Sequence, residues 1–199
     1  MKEQSGVLGI DEAGMGPWAG PLFVAGVVWD DSVTLEGLTD SKAISETMRE
    51  TLHRQIARHA VNYRVQSVPV ERINTEALAA ARQWAIMEIV RHLHTDAREV
   101  FIDGVGSKQY TLPTSYVVQG DKTIPAISAA SILAKVGRDR VMVALDRRFP
   151  EYGFAAHKGY GTKQHQEALR VHGATEIHRI WYEPVARLSG LIEEPARVG

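Results

Sequence analysis

Apolar positions near the start of the chain fall in two runs, residues 7–10 and 22–29. Asp11-Glu12 and a glycine- and proline-punctuated stretch with Gly14, Gly16, Pro17 and Gly20 lie between them. The pattern predicts a strand, an acidic strand end, a tight loop and a second strand. Ile44, Met48, Leu52 and Ile56 recur every fourth residue, which predicts one helix, led in by Asp40-Ser41-Lys42. Residues 61–68 alternate apolar and polar, as a half-buried strand does. A second helix, capped by Asn74 or Thr75, should bury Leu78, Ala81, Ala85, Ile86, Ile89 and Leu93. Short strands are expected at 100–102 and 116–118, with a loop at 106–113 between them. A long helix is expected over about 124–148, with Pro125 in its first turn.

On that long helix Ala130, Leu133, Ala134, Gly137, Val141 and Ala144 share one face, small enough for close packing. Ser128, Ser131, Lys135 and Asp139 form a stripe on the opposite side. Residues 150–161 read as loop, a last helix follows Thr162, and Pro184 breaks the pattern before a short final segment. Trp18 and Trp181 read as packing residues. Strands followed by alternating helices and strands, then by helices, argue for one α/β domain with a helical tail.

Composition narrows the picture. The chain has 199 residues, enough for one domain with a substantial core. It has no cysteine, which excludes disulfides and thiolate-held metals and fits a reducing, cytoplasmic setting. No stretch is apolar for the ~18 residues a membrane span needs, and residues 1–4 do not read as part of a signal peptide. With a formal net charge of −1, any surface for nucleic acid must be local.

Acids follow three of the predicted strands: Asp11 and Glu12, Asp103, and Asp121. Ligands of open α/β sheets gather beyond strand ends. Four carboxylates converging there would repel one another unless cations neutralised them, and all-oxygen ligation favours Mg²⁺ or Mn²⁺. Two such ions can assist hydrolysis of a phosphodiester. The plainer reading of any one of these acids is a turn residue or a cap. A second feature is the tract His157-Lys158-Gly159-Tyr160-Gly161-Thr162, two basic groups and an aromatic among glycines, followed by more basic residues through Arg179. It suits phosphates and a stacked sugar or base, or it is a solvated helix face with a structural tyrosine. Lys135 can meet a phosphate or pair with Asp139 four residues on. Lys42 has the same two readings.

These residues stand in the order of a known family. Gly9-Ile-Asp-Glu-Ala-Gly, Asp40-Ser-Lys42, Ile102-Asp-Gly104, Gly120-Asp121, Ala129-Ala-Ser-Ile-Leu-Ala-Lys135, Arg138-Asp-Arg140, His157-Lys-Gly-Tyr160 and His178-Arg179 together resemble bacterial ribonuclease HII, of the type 2 ribonucleases H, over about residues 7–185. The resemblance implies a ribonuclease H-like α/β fold: a five-stranded mixed sheet, three antiparallel strands first, flanked by helices, with a C-terminal helical segment. It implies a single domain over 1–199, with a catalytic core at about 7–150 and a substrate-contacting loop and helical part at about 151–199. The additional N-terminal domain of the related ribonuclease HIII is not expected. The implied activity is cleavage of RNA in RNA–DNA hybrids and nicking of duplex DNA 5′ of an embedded single ribonucleotide. Products would carry 5′-phosphate and 3′-hydroxyl ends, and the enzyme would act as a monomer.

By the same resemblance Asp11, Glu12, Asp103 and Asp121 are the catalytic, metal-holding carboxylates, with Mg²⁺ or Mn²⁺ as a two-ion cofactor. Asp139 is a secondary acid. Gly14, Met15, Gly16, Lys42, Lys135, Lys158 and Tyr160 are expected at the nucleic acid. One position departs from the family pattern: its first loop usually carries a basic residue between the glycines, and here it is Met15. Backbone groups can still read a 2′-hydroxyl, the group that distinguishes RNA, but the basic side chain is gone. Two other readings stand beside this one: a nucleic-acid binding protein without catalysis, and another nuclease or transposase of the same fold.

Overall fold

The computed structural model describes residues 6–38, 41 and 44–192. Asp40 and Lys42 lie outside the described residues, so the reading of Lys42 is not addressed by the structure. Five strands form one sheet in the order β3-β2-β1-β4-β5. β1 (Gly6–Ala13), β2 (Leu22–Asp30) and β3 (Asn62–Val68) run antiparallel, and β4 (Ala97–Asp103) and β5 (Thr114–Val117) add on parallel to β1. This is the mixed sheet that the family resemblance implied.

The pleat sorts each strand between two cores. Leu8, Ile10, Val24 and Val28 pack with Ala81, Ala85, Ile86 and Ile89 of α3 (Leu78–Leu93). Val7, Ala25, Val27 and Trp29 pack on the other face with α1 (Glu46–His59) and α4 (Pro125–Arg148). α1 begins at Ser45, whose hydroxyl accepts from the Met48 N–H, with Leu52 and Ile56 buried as the four-residue spacing requires. The first half of α4 is buried nearly all round, and its small residues permit that. A third cluster joins Ala19, Met142, Tyr152, Phe154 and Leu169, and so attaches the C-terminal part to the loop after β1. That part holds α5 (Phe154–His157), α6 (Lys163–His172) and α7 (Glu183–Leu188).

Several expectations shift. Asn74 and Thr75 lie inside α2 (Val70–Glu76), and α3 starts at Leu78, after Ala77, without a side-chain cap. Asn74 instead donates to the His178 carbonyl, and Thr75 bonds back to Glu71. Pro184 lies in the first turn of α7 instead of ending a pattern, since a helix's first turn needs no N–H from it. Ala144 is exposed and does not share the buried face expected for it. Trp181 is also exposed and is no core residue.

Candidate active site

β1 and β4 are parallel neighbours in which Ile10 pairs with Ile102. The next residue on each strand is an acid, so Asp11 and Asp103 stand side by side at the carboxyl end of the sheet's two central strands. The pleat then decides which way each acid turns. Asp11 continues the row of Val7 and Gly9 toward α4, and Glu12 continues the row of Leu8 and Ile10 toward α3. Adjacent carboxylates therefore diverge. Glu12 meets Arg82 of α3, whose Nε and Nη2 donate to Glu12 Oε2 at 2.9 and 2.8 Å. Arg82 Nη2 also donates to the Asp103 carbonyl at 3.1 Å.

Asp11 is 6% exposed. Burial, with the Glu12 and Asp103 charges behind it, pushes its carboxyl up to about 8, against the pull of the Ser131 hydroxyl and the Glu12 N–H. A buried acid whose charge is opposed this way suits a cation-binding position. Asp103 Oδ1 accepts the Gly120 N–H at 2.8 Å, which ties β4 to the 3-10 turn Gly120–Lys122. Asp121 sits on that turn and not at a strand end, since β5 stops at Val117. It is buried, and its carbonyl accepts from Ser128 at the start of α4.

A cavity of about 280 Å³ opens over the sheet end. Asp11, Glu12, Asp103, Ser131, Lys135 and Tyr160 line it together with the Gly14-Met15-Gly16 loop. Asp121 is not on this lining. Among the described residues no three acids or histidines are grouped closely enough to hold an ion as they stand. Glu12 is paired to Arg82 on the α3 side, and Asp121 is absent from the cavity lining. The donors that do meet, Asp11 and Asp103 with Glu12 at the rim, are all oxygen and fit a hard divalent cation.

Two buried arginines shape the loop of residues 14–21. Arg179 donates to the carbonyls of Gly14 (2.6 Å), Met15 (3.1 Å) and Gly20 (3.0 and 3.2 Å). Arg138 donates to those of Pro21, Ala19 and Lys158 at 3.0, 3.1 and 2.9 Å. The Tyr182 hydroxyl adds a second donor to Met15 O at 2.8 Å. Burial, and the Arg179 charge beside it, pull the Arg138 guanidinium down to about 10, so it remains charged at neutral pH. Loop carbonyls thus point inward onto two cations. Gly14 has φ +105, and a Cβ there would stand 2.3 Å from Arg138 Nε, so both its conformation and its proximity to the guanidinium require glycine.

Tyr160 lines the cavity beside Gly16, half exposed. Its backbone is set by a chain of neutral histidines. The Thr175 N–H donates to His178 Nδ1 (3.0 Å), which leaves the His178 Nε2–H to donate to His165 Nε2 (3.0 Å). The His165 Nδ1–H then donates to Tyr160 O (3.0 Å). His157 acts likewise, donating from Nε2 to Tyr152 O and accepting the Gly159 N–H at Nδ1. The Trp18 N–H donates to Gly159 O and the Arg179 N–H to Trp18 O, so the two loops that face the cavity are sewn together.

Of the other expected residues, Lys135 lines the cavity and pairs with Asp139 at 2.8 Å, the i,i+4 alternative. Asp139 itself lines a different depression beside α1. Lys158 folds its ammonium back onto the Ala155 carbonyl and does not line the cavity. Arg82 is new; His165, His178 and Arg179, which read as part of a basic patch for phosphates, are instead buried and bond to the chain itself. Arg82 falls four residues from Leu78 and four from Ile86, inside the apolar stripe of α3, and an arginine there calls for an acid opposite.

A five-stranded mixed sheet with acids at adjacent central strand ends belongs to the nucleases of the ribonuclease H-like fold. A solved structure of the PCNA:RNase HII complex from Archaeoglobus fulgidus superposes with a TM-score of 0.77 at 27% identity, over 89% of this chain and 95% of that one. Bst-RNase HIII in complex with Mn²⁺ shares the fold at a TM-score of 0.71 and 14% identity, over 94% of this chain and 70% of its own. The ribonuclease HII of Burkholderia thailandensis is 46% identical over 186 residues, 94% of this chain and 87% of that protein. The family model for ribonuclease HII matches residues 8–189, and the chain belongs to that family. It is an endoribonuclease of the ribonuclease H class, an enzyme that cleaves RNA in RNA–DNA hybrids.

Proposed function

We propose that the chain is a metal-dependent endonuclease that also nicks duplex DNA on the 5′ side of a single embedded ribonucleotide, as ribonucleotide excision and primer removal require. The products would be 5′-phosphate and 3′-hydroxyl ends. The observation that carries this reading is that Asp11 and Asp103 each follow the last β1–β4 pair and line one cavity with Tyr160 and the Gly14-Met15-Gly16 loop.

Asp11, Glu12, Asp103 and Asp121 would hold two Mg²⁺ or Mn²⁺ ions. Bound divalent ions supply Lewis-acid activation of the scissile phosphate and a water acidic enough to attack it. The protein's own groups do the rest. Asp11 stays in place through the Glu12 N–H and Ser131. The N–H groups of residues 14–16 are offered to a ribose 2′-hydroxyl, because Arg179 and Tyr182 hold the loop carbonyls inward. Tyr160 packs against the next sugar, and Lys135 meets a phosphate if Asp139 releases it. Glu12 must exchange Arg82 for the cation to take part.

The test is a nicking assay on duplex DNA containing one ribonucleotide, with and without Mg²⁺ or Mn²⁺. A cut on the 5′ side that requires the ion supports the reading. No cut, or equal cutting of all-DNA duplex, overturns it.

A further inference from the structure

We propose that Arg82 is a substrate-positioning residue that exchanges Glu12 for a phosphate of the nucleic acid when the cation takes Glu12. This rests on the reading of the cavity as the nuclease site. Arg82 stands where two cavities meet. The catalytic cavity and a neighbouring one of about 480 Å³ share Glu12, Met15 and Asp103, and Arg82 lines the second beside Lys108 and Tyr110. The neighbouring cavity prolongs the site along the surface, as a bound strand would continue past the scissile bond.

Three observations give Arg82 this role. Its guanidinium spends two donors on one Glu12 oxygen and shares one of them with the Asp103 carbonyl, so its fork is aimed at the wall of the catalytic cavity. The pair is partly exposed, 18% for Arg82 and 15% for Glu12, so a ligand can reach it. Met15, between the glycines on the same wall, presents no charge. A guanidinium released from a carboxylate keeps the planar fork that matches two phosphate oxygens. The same contact that neutralises Glu12 in the free protein then becomes a grip on substrate, and ion binding and strand binding are coupled through one side chain.

Arg82→Met keeps the length and removes the charge. In calorimetric titration with Mn²⁺ and no nucleic acid, the ion should bind this variant severalfold more tightly, since Glu12 is no longer paired. With an RNA–DNA hybrid, kcat/KM should fall about tenfold, mostly through KM, and the slope of log kcat/KM against log salt should lose about one unit. Arg82→Lys keeps a charge beside Glu12 and the fold, and should raise KM several-fold with kcat kept, because an ammonium lacks the fork. A wild-type salt slope in Arg82→Met, an unchanged KM in Arg82→Lys, or Mn²⁺ binding no tighter in Arg82→Met overturns the proposal. Wild-type protein that fails to cleave at all would instead overturn the nuclease reading on which it stands.

Discussion

Gly9 of β1 lies against Ala126 of α4 so closely that a Cβ added to the glycine would stand 2.2 Å from the Ala126 carbonyl carbon. That approach brings Ser131, on the same helix, to Asp11, two residues along the strand. Backbone is on the far side of the contact, so it cannot yield as a flexible side chain can. Gly9→Ala should cost at least the ~1–3 kcal/mol of ordinary overpacking. Denaturant unfolding gives the cost directly. A midpoint equal to wild type would show that β1 and α4 are not packed this tightly.

The loop of residues 14–21 depends on Arg179 in a similar way. Arg179→Met strips donors from the carbonyls of Gly14, Met15 and Gly20. Each buried acceptor left without a donor costs about 1–3 kcal/mol, and Tyr182 still serves Met15. A loss of roughly 3 kcal/mol in unfolding free energy is expected, with a raised KM from a loosened loop. Arg179→Lys should recover only part of it, because one ammonium cannot reach three carbonyls. Unfolding curves for the two variants check this; full recovery by lysine would contradict it.

The His165–His178 contact predicts acid lability. Burial first, with the His157 charge adding to it, pulls His165 down from 6.5 to about 4; burial first, then the His165 charge, pulls His178 from 6.5 to about 3. Both bases have depressed values in the folded state, so the unfolded chain binds their protons first. Their contribution is therefore complete above pH 6.5 and is lost as pH falls through 4 and toward 3. In His165→Gln one of these groups is gone. The stability difference between wild type and variant should shrink by roughly 3 kcal/mol between pH 7 and pH 4, on 1.36 kcal/mol per pKa unit. Taking the difference cancels groups that do not touch His165; His178, relieved of the His165 charge in the variant, adds to the change in the same direction. Parallel stability profiles for the two would refute the assignment.

Met15 stands where the resemblance led us to expect a basic residue between the glycines. Met15→Arg adds a charge to the wall shared by both cavities. It should lower KM for a duplex with one ribonucleotide several-fold and sharpen the choice of junction, by adding about one phosphate contact. Steady-state kinetics on matched and mismatched junctions measure both. Unchanged KM and unchanged junction choice would mean that the side chain at 15 does not touch substrate.

Much of this was legible before any coordinates. The apolar runs of β1 and β2, the alternation at β3, the four-residue spacing of α1 and the small face of α4 are local patterns that packing obeys, and they mark these elements, whereas the arrangement of the five strands was implied by the family resemblance. Asp11 and Asp103 were visible because each follows an apolar run. Direction was not visible. Only the pleat together with the identity of the helix on each face shows that Glu12 turns away from Asp11 and meets Arg82. Asp121 read as a strand end because Val117 and Val118 are both β-branched, whereas the chain turns after Val117 to let Gly120 reach Asp103. The helix starts at α2 and α3 were misplaced because Asn74 serves a partner more than a hundred residues away, His178. The histidine chain was out of reach for the same reason: its links join separate segments.

The most direct test of the account is Asp11→Asn, measured for cleavage of an RNA–DNA hybrid in Mg²⁺ or Mn²⁺ alongside its unfolding midpoint. An amide keeps the shape, cannot hold the charge, and removes a buried carboxylate that is expensive without its cation. The account predicts a kcat lower by about a thousandfold or more, with stability equal to wild type or higher. Cleavage within a few-fold of wild type, in a protein that is folded, would contradict it.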